Sequence, residues 1–126
     1  MIDALDHLVL TVSDMEATTR FYVDVLGFAE IHFGENRRAL RCGQQKINLH
    51  VAGDEISPHA AHPQPGSADL CFLTSRPLDG VERYLRHCGI HVELGPVERS
   101  GVRGPIRSIY IRDPDENLIE ISESIS

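Results

Sequence analysis

The chain opens on the stretch DHLVLTV, Asp6–Val12, in which apolar residues recur at every second position, as they do in a β-strand. A second copy of this stretch occurs 62 positions later in the 126-residue sequence, with Asp69 at the position that corresponds to His7. The two copies align without a gap as far as Gly27 and Gly89. Internal repetition of this kind predicts two copies of one structural unit.

Each copy contains a strand, a helix with one apolar face, and three further strands, which predicts an α+β fold. The expected architecture is two tandem βαβββ modules that form an eight-stranded, open, barrel-like sheet. We predict a single domain over residues 1–126, with module one at 4–51, a linker at 52–67 and module two at 68–122. The linker is rich in proline and glycine, which is typical of an irregular connection.

Local signals predict where the helices and strands begin. Ser13 and Ser75 are the expected N-caps of the two helices, each placed just before a helical apolar pattern. After the second helix we expect a strand at 90–94 and then a long loop at 95–104.

The composition narrows the class of protein. The formal net charge is −7 and the basic residues do not cluster, so nucleic acid and anionic membranes are not the expected partners. There is no long apolar run and no signal-peptide pattern, and we expect a cytoplasmic protein. The three cysteines show no metal-binding spacing and are expected to be reduced, buried thiols.

Four residues at matched positions of the two copies suggest chemistry. The closing strands align at an offset of 70 rather than 62, which places His50 on Glu120, as His7 is placed on Asp69. All four are expected on the sheet face away from the helices. Imidazole and carboxylate groups bind divalent transition metals, so the pattern predicts a site for zinc, nickel, manganese or iron(II). Taken singly, each of the four residues also fits an ordinary structural or solvated role.

Three segments resemble the vicinal oxygen chelate superfamily: the opening DHLVLTV, the segment Phe21–Phe28 and the closing segment Asp113–Glu120. That superfamily includes glyoxalase I, fosfomycin-resistance thiol transferases, bleomycin-binding proteins and extradiol dioxygenases. The resemblance covers the whole chain and is strongest to small glyoxalase domain-containing and virulence-associated members. It implies the glyoxalase-like fold for the two modules.

The resemblance also implies the roles of particular residues. Glyoxalase I has ligands in the order His, Glu, His, Glu, and the matching residues here are His7, His50, Asp69 and Glu120, with the middle two exchanged in character. Fosfomycin-type relatives use only the first, third and fourth of these positions. This chain also carries Glu116 where the family usually has a glycine.

The function implied is a metal-dependent lyase or isomerase, similar to lactoylglutathione lyase, acting on a small α-oxo thiol adduct that chelates the metal through adjacent oxygens. Glu120 is the candidate base, and Arg107 and Arg103 are candidates to hold an anionic substrate group, although both also fit solvated surface arginines. Two other functions stay open: a non-catalytic small-molecule-binding protein and an iron(II) ring-cleaving dioxygenase.

The assembly follows from the exposed sheet. A module alone exposes a concave sheet, so it is expected to pair with another module, from the same chain or from a second chain. Similar proteins are commonly homodimers with exchanged modules, and the resemblance implies such a homodimer here.

Overall fold

The structure, a computed structural model, describes residues 1–125. The chain divides into two compact units, Met1–Ser67 and a second that begins at Ala68. Each unit holds one four-stranded sheet, built from one strand, a helical segment and three further strands. The fold class is therefore α+β, and the two βαβββ modules predicted from the repeat are confirmed. Within residues 1–125, no helix is long and apolar enough to span a membrane.

In the first unit, the opening and closing strands are neighbours and run parallel, and the sheet order is β1-β4-β3-β2. The helical segment begins as an α-helix and continues in π-helical geometry. The elements are β1 His7–Val12, α1 Met15–Thr19, the π-helical segment Arg20–Val25, β2 Ala29–Phe33, β3 Arg37–Cys42 and β4 Gln45–Val51.

The second unit repeats this arrangement, with parallel β5 and β8 and the sheet order β5-β8-β7-β6. Parallel neighbours need a crossover connection, and α2 together with the hairpin strands supplies it. The elements are β5 Asp69–Leu73, α2 Leu78–His87, β6 Leu94–Gly101, β7 Gly104–Arg112 and β8 Leu118–Ser124.

Each sheet buries the face that carries its helix. In the first unit this helix face holds Leu10 and Leu49, each almost completely buried, and Arg38 of this face pairs with Glu16 of α1 at 2.8 Å. Because side chains alternate along a strand, residues at the other parity lie on the opposite face. We call this opposite side the open face of each sheet.

Both predicted helix caps are wrong by one or two residues. Asp14, not Ser13, caps α1, and its Oδ1 accepts the backbone N–H groups of Glu16 and Ala17 at 3.0 and 3.1 Å. Helix α2 begins after Pro77 rather than at Ser75. Serine and aspartate are both good caps, so the sequence leaves the choice between neighbours open.

The predicted loop at 95–104 is wrong, because β6 runs through most of it. The predicted strand at 90–94 contributes only its last residue, Leu94. Gly95 and Pro96 resemble a turn in the sequence, but here they lie in a bulge of an edge strand, where proline is tolerated. A Cβ at Gly95 would lie 2.4 Å from the carbonyl oxygen of Ser108, so only glycine fits this approach.

A turn built on Asp113 and Asn117 fixes the start of β8. The carboxylate of Asp113 accepts the backbone N–H of Asn117 at 3.0 Å and its side-chain N–H at 2.8 Å. The Asn117 side-chain oxygen accepts the N–H of Ala68, directly before β5, at 2.9 Å. This turn therefore sets the register of the parallel pair β5–β8.

The same turn contains a strained residue, which gives the first prediction. Glu116 has φ = 71°, a left-handed conformation that costs a residue with a Cβ about 1–2 kcal/mol. Glycine avoids this cost but loses about 0.5–1 kcal/mol in chain entropy, so we expect Glu116→Gly to raise the free energy of unfolding by about 1 kcal/mol. Urea unfolding measures the change.

Asn36→Gly is the matched control for this substitution. Asn36 also has a positive φ, 57°, but asparagine tolerates this region better than glutamate does. We expect a smaller gain from it. A Glu116→Gly protein less stable than the parent would contradict the assignment of strain.

Candidate functional site

In the first unit, His7 and His50 lie on the open face but at different levels of the parallel pair. His7 is paired with Lys46, whereas His50 is paired with Thr11, four residues further along. At about 3.3 Å per residue, the two backbone positions are about 13 Å apart along the strands. The Nδ1 atom of His7 lies 2.8 Å from Asp6 Oδ1, which leaves Nε2 to face another group.

In the second unit, Asp69 and Glu120 lie closer together on the open face. Asp69 is paired with Leu118 and Glu120 with Cys71, so the two carboxylates differ by two residues in register. This corresponds to about 7 Å along the strands. Two carboxyl side chains from these positions can therefore reach a common group.

The two registers correct the alignment of the closing strands. Lys46 is the partner of His7 as Leu118 is of Asp69, so the true offset between β4 and β8 is 72. The residue that corresponds to Glu120 is then Asn48, and His50 corresponds to Ser122. The alignment at an offset of 70 is therefore wrong by two residues. Two residues are one period of side-chain alternation, so the error keeps every residue on its predicted face.

Glu120 is held by a chain of hydroxyl groups. Ser108 donates to Glu120 Oε2 at 2.6 Å, and the hydroxyls of Ser108 and Ser122 lie 2.6 Å apart. Each serine has one proton, so Ser108 spends its proton on the carboxylate and accepts from Ser122. Both serines are fully buried. Both hydroxyls approach the same carboxylate oxygen, Oε2, from Ser108 at 2.6 Å and from Ser122 at 3.4 Å.

Cys71 extends this chain at its other end. Its sulfur lies 3.3 Å from the Ser122 hydroxyl, and the residue is exposed rather than buried as the sequence predicted. Desolvation of the sulfur raises the pKa of the Cys71 thiol; the hydrogen bond with Ser122 opposes this shift, and the negative charges of Glu120 and Asp69 add to it. The Cys71 thiol therefore stays protonated beside the Ser122 hydroxyl and the Glu120 carboxylate.

His50 occupies a buried, positively charged environment. The residue is only 6% exposed. Burial, and then the charge of Arg37, lower the pKa of His50 below its ordinary value of 6.5, while Glu55 opposes the shift. The imidazole is therefore neutral near pH 7, which is the form that can accept a proton or bind a cation.

Asn48, between Lys46 and His50 on the same face, carries an unpaired polar atom. It is 6% exposed, and its Oδ1 has no hydrogen-bond partner. An unsatisfied buried acceptor costs about 1–3 kcal/mol, so native structures rarely keep one without a reason.

The two arginines predicted to hold substrate lie elsewhere. Arg107 is on the helix face of its sheet, where its guanidinium donates to Glu123 and to Asp79 of α2, each at 3.1 Å. Arg103 lies in the tight turn between β6 and β7 and is exposed. Arg107 therefore lies on the face opposite to the one that holds Glu120, and Arg103 lies in a turn outside the strands of the sheet.

The described residues contain no preassembled metal cluster. Among residues 1–125, no three His, Cys, Asp or Glu side chains lie close enough to share an ion. In the second unit Asp69 and Glu120 lie about 7 Å apart along the strands, whereas His7 and His50 of the first unit lie about 13 Å apart and are not brought together. The four-ligand set therefore stays a prediction.

Sequence reasoning missed Ser108, Ser122 and Asn48. A signal for all three was present, since each is a polar residue directly beside a buried isoleucine or leucine of the same strand. Such an inward polar residue needs a partner or a function.

Comparison with known proteins places the chain in a family. The model of the Glyoxalase/Bleomycin resistance protein/Dioxygenase superfamily matches residues 4–121. Virulence protein STM3117 of Salmonella typhimurium is 57% identical over 99% of this chain and 87% of its own length. A crystal structure of that protein matches with a TM-score of 0.97, over 99% of each chain. Glyoxalase domain-containing protein RDO1 of Mycosarcoma maydis is 51% identical over 96% of this chain and 68% of its own length. The chain therefore belongs to the Glyoxalase/Bleomycin resistance protein/Dioxygenase superfamily.

Proposed function

We propose that this protein is a metal-dependent lyase or isomerase of the glyoxalase I type, acting on a small α-oxo thiol adduct. The observation that carries the proposal is the carboxylate of Glu120, whose Oε2 accepts a 2.6 Å hydrogen bond from the buried hydroxyl of Ser108. A carboxylate held in this way is oriented for proton transfer. A merely solvated surface glutamate would not need a buried hydroxyl chain behind it.

The residues present fit a divalent cation in their chemistry. Asp69 and Glu120 share one open face, and His7 presents an imidazole whose other nitrogen is held by Asp6, an arrangement common among histidine ligands. The proposed ligands are His7, His50, Asp69 and Glu120. Zinc, nickel, manganese and iron(II) all accept nitrogen and oxygen ligands of these types.

The chemistry divides between the cation and the chain. A divalent cation at these ligands would supply Lewis-acid stabilisation for the negative oxygen of a substrate that loses a proton beside its carbonyl group. Glu120 takes that proton and returns it to the neighbouring carbon. Ser108 holds the carboxylate in one orientation through its bond to Oε2.

An anionic part of the substrate needs a cationic group. Arg107 is already bound to two carboxylates on the helix face, so we leave it out of the proposed site. Arg103, an exposed residue of the β6–β7 turn, remains the proposed cationic group.

We also propose that the protein works as a homodimer. Native mass spectrometry of the metal-loaded protein measures the mass of the assembly directly.

Metal binding and the base are tested together. Isothermal titration of chelator-treated protein with Ni²⁺, Zn²⁺ and Mn²⁺ should give at least one saturable site. With that ion bound, we expect turnover of the hemithioacetal of an α-oxo aldehyde and a small thiol.

Glu120→Gln should lower kcat by about 10²–10⁴-fold, because the amide cannot accept the proton.

Glu98→Gln is the control for that substitution, since Glu98 is an exposed glutamate of β6. It should retain full activity. A folded protein that binds none of the ions would overturn the proposal and favour the small-molecule binding that bleomycin resistance proteins represent in this superfamily. Near-normal turnover in Glu120→Gln would overturn the assignment of the base alone.

The hydroxyl chain gives a separate prediction. Ser108→Ala removes the 2.6 Å contact to Glu120 Oε2 and should weaken metal affinity by about 10–100-fold, as is typical when a group that orients a ligand is lost. Titration calorimetry measures this without any substrate. Ser100→Ala, at an exposed position of β6, is the control. Equal affinities for the two variants would show that the chain does not orient the carboxylate.

His50 predicts a pH dependence in the metal-free protein. Its pKa is lower in the folded state than its ordinary value of 6.5, so the unfolded chain binds the proton more readily. The stability from the neutral form is complete above pH 6.5 and is lost as the pH falls from there through the folded-state pKa. Melting temperatures between pH 7.5 and pH 5.5, with chelator present, should fall more steeply in the parent than in His50→Gln. Parallel curves would contradict this.

A further inference from the structure

Three basic side chains come together on the open face of the first sheet. Arg41 of β3 and Lys46 of β4 are register partners, so their side chains leave the sheet side by side on the same face. Arg37 lies four residues before Arg41 on the same strand and therefore shares that face. The strand register thus assembles a cationic cluster that is not visible as a run in the sequence, in a chain whose net charge is −7.

The ring of Phe33 holds two of these cations close to each other. The guanidinium carbon of Arg37 lies 4.6 Å from the ring centroid, and the ammonium nitrogen of Lys46 lies 4.5 Å from it. The two charged groups are therefore at most about 9 Å apart, twice the distance of each from the shared ring. All three residues are half-buried, so the ring positions two long side chains instead of leaving them free in solvent.

The charge of this cluster is not compensated by protein carboxylates. Arg38, on the helix face, pairs with Glu16 and Glu30. Within residues 1–125, by contrast, no ion pair joins a carboxylate to any of the three cations of the cluster. Like charges directly opposite each other on a sheet are destabilising, so the pair Arg41 and Lys46 costs stability unless an anion lies between them.

The rest of the open face of this sheet supplies no acid. Its other strand residues are Phe33 and a set of apolar, amide, hydroxyl and imidazole side chains: His7, Val9, Thr11, Ala29, Ile31, Ala39, Asn48 and His50. Of the acids that flank the strands, Asp6 is bonded to His7 at 2.8 Å, and Glu55 accepts the N–H of Gly53 at 2.7 Å. An anion from solution is therefore the natural partner of the cluster.

We propose that Arg37, Arg41 and Lys46 form a binding site for a small molecule that carries a doubly charged oxyanion, a phosphate group or a pair of carboxylates. An oxyanion with a charge-assisted hydrogen bond on each side spans roughly 8 Å, which matches the separation that the ring of Phe33 allows. Arginine binds such a group through its planar fork and lysine as a point charge. The site lies within the first unit and requires neither a metal ion nor Glu120, so it is independent of the proposed function.

The experiment is a calorimetric titration of chelator-treated protein at pH 7.5 and low ionic strength, with inorganic phosphate and with malonate. At least one of the two anions should bind the parent saturably. Lys46→Met keeps the length of the side chain but removes its charge, and should weaken that binding about tenfold or more. Without an anion, its melting temperature should be unchanged or higher, because the repulsion from Arg41 is gone. Arg41→Met gives a second measurement of the same loss.

Two further variants separate a built site from general charge attraction. Phe33→Leu keeps all three cations but loses the ring that positions them, and it should also weaken anion binding. Arg38→Met is the matched control, because it removes the same charge from the helix face. It should keep the parent affinity, although the loss of its ion pair lowers the melting temperature.

The outcomes decide the proposal directly. Binding of phosphate alone identifies a phosphate group as the ligand chemistry, and binding of malonate alone identifies paired carboxylates. A folded parent that binds neither anion saturably overturns the site. Equal affinities in the parent and Lys46→Met, or in the parent and Phe33→Leu, also overturn it.

Discussion

The parallel pairing of the first and last strand in each unit is the constraint on which the rest depends. It brings together two strands that are far apart in sequence and fixes which of their residues share a face and at what level. In the second unit the register is locked by the bond from Ala68 to the Asn117 side chain, which is itself held by Asp113. If the register moved by one residue, Glu120 would turn from the open face into the helix face.

The two open faces have the same geometry but different chemistry. The second unit presents carboxylates, with Asp69 and Glu120 backed by buried hydroxyl groups. The first presents histidines, an amide and basic residues around Phe33. A carboxylate on a half-buried face is costly unless it is hydrogen-bonded, and Ser108 meets that requirement. The buried oxygen of Asn48 has no such partner.

Much of the fold could be predicted from the sequence because the repeat and the strand alternation are strong, long-range signals. The strand Ala29–Phe33 and the positive φ at Gly27 follow directly from local pattern. The start of α1 could not be fixed, since Ser13 and Asp14 are both good caps and only the backbone geometry decides between them. The strand β6 was missed because Gly95 and Pro96 imitate a turn, and only tertiary contact shows that they form a bulge at a sheet edge.

The site was predictable in kind but not in register. The alignment at an offset of 70 placed His50 on Glu120, and a shift of two residues keeps the same face of the strand. The sequence alone cannot detect such a shift, since alternation is satisfied equally by Asn48 and His50. The strand register makes the difference visible, because two residues span about 7 Å along a strand and four span about 13 Å. Assignment of ligands in a duplicated fold should therefore follow the strand register first and the identity of the residue second.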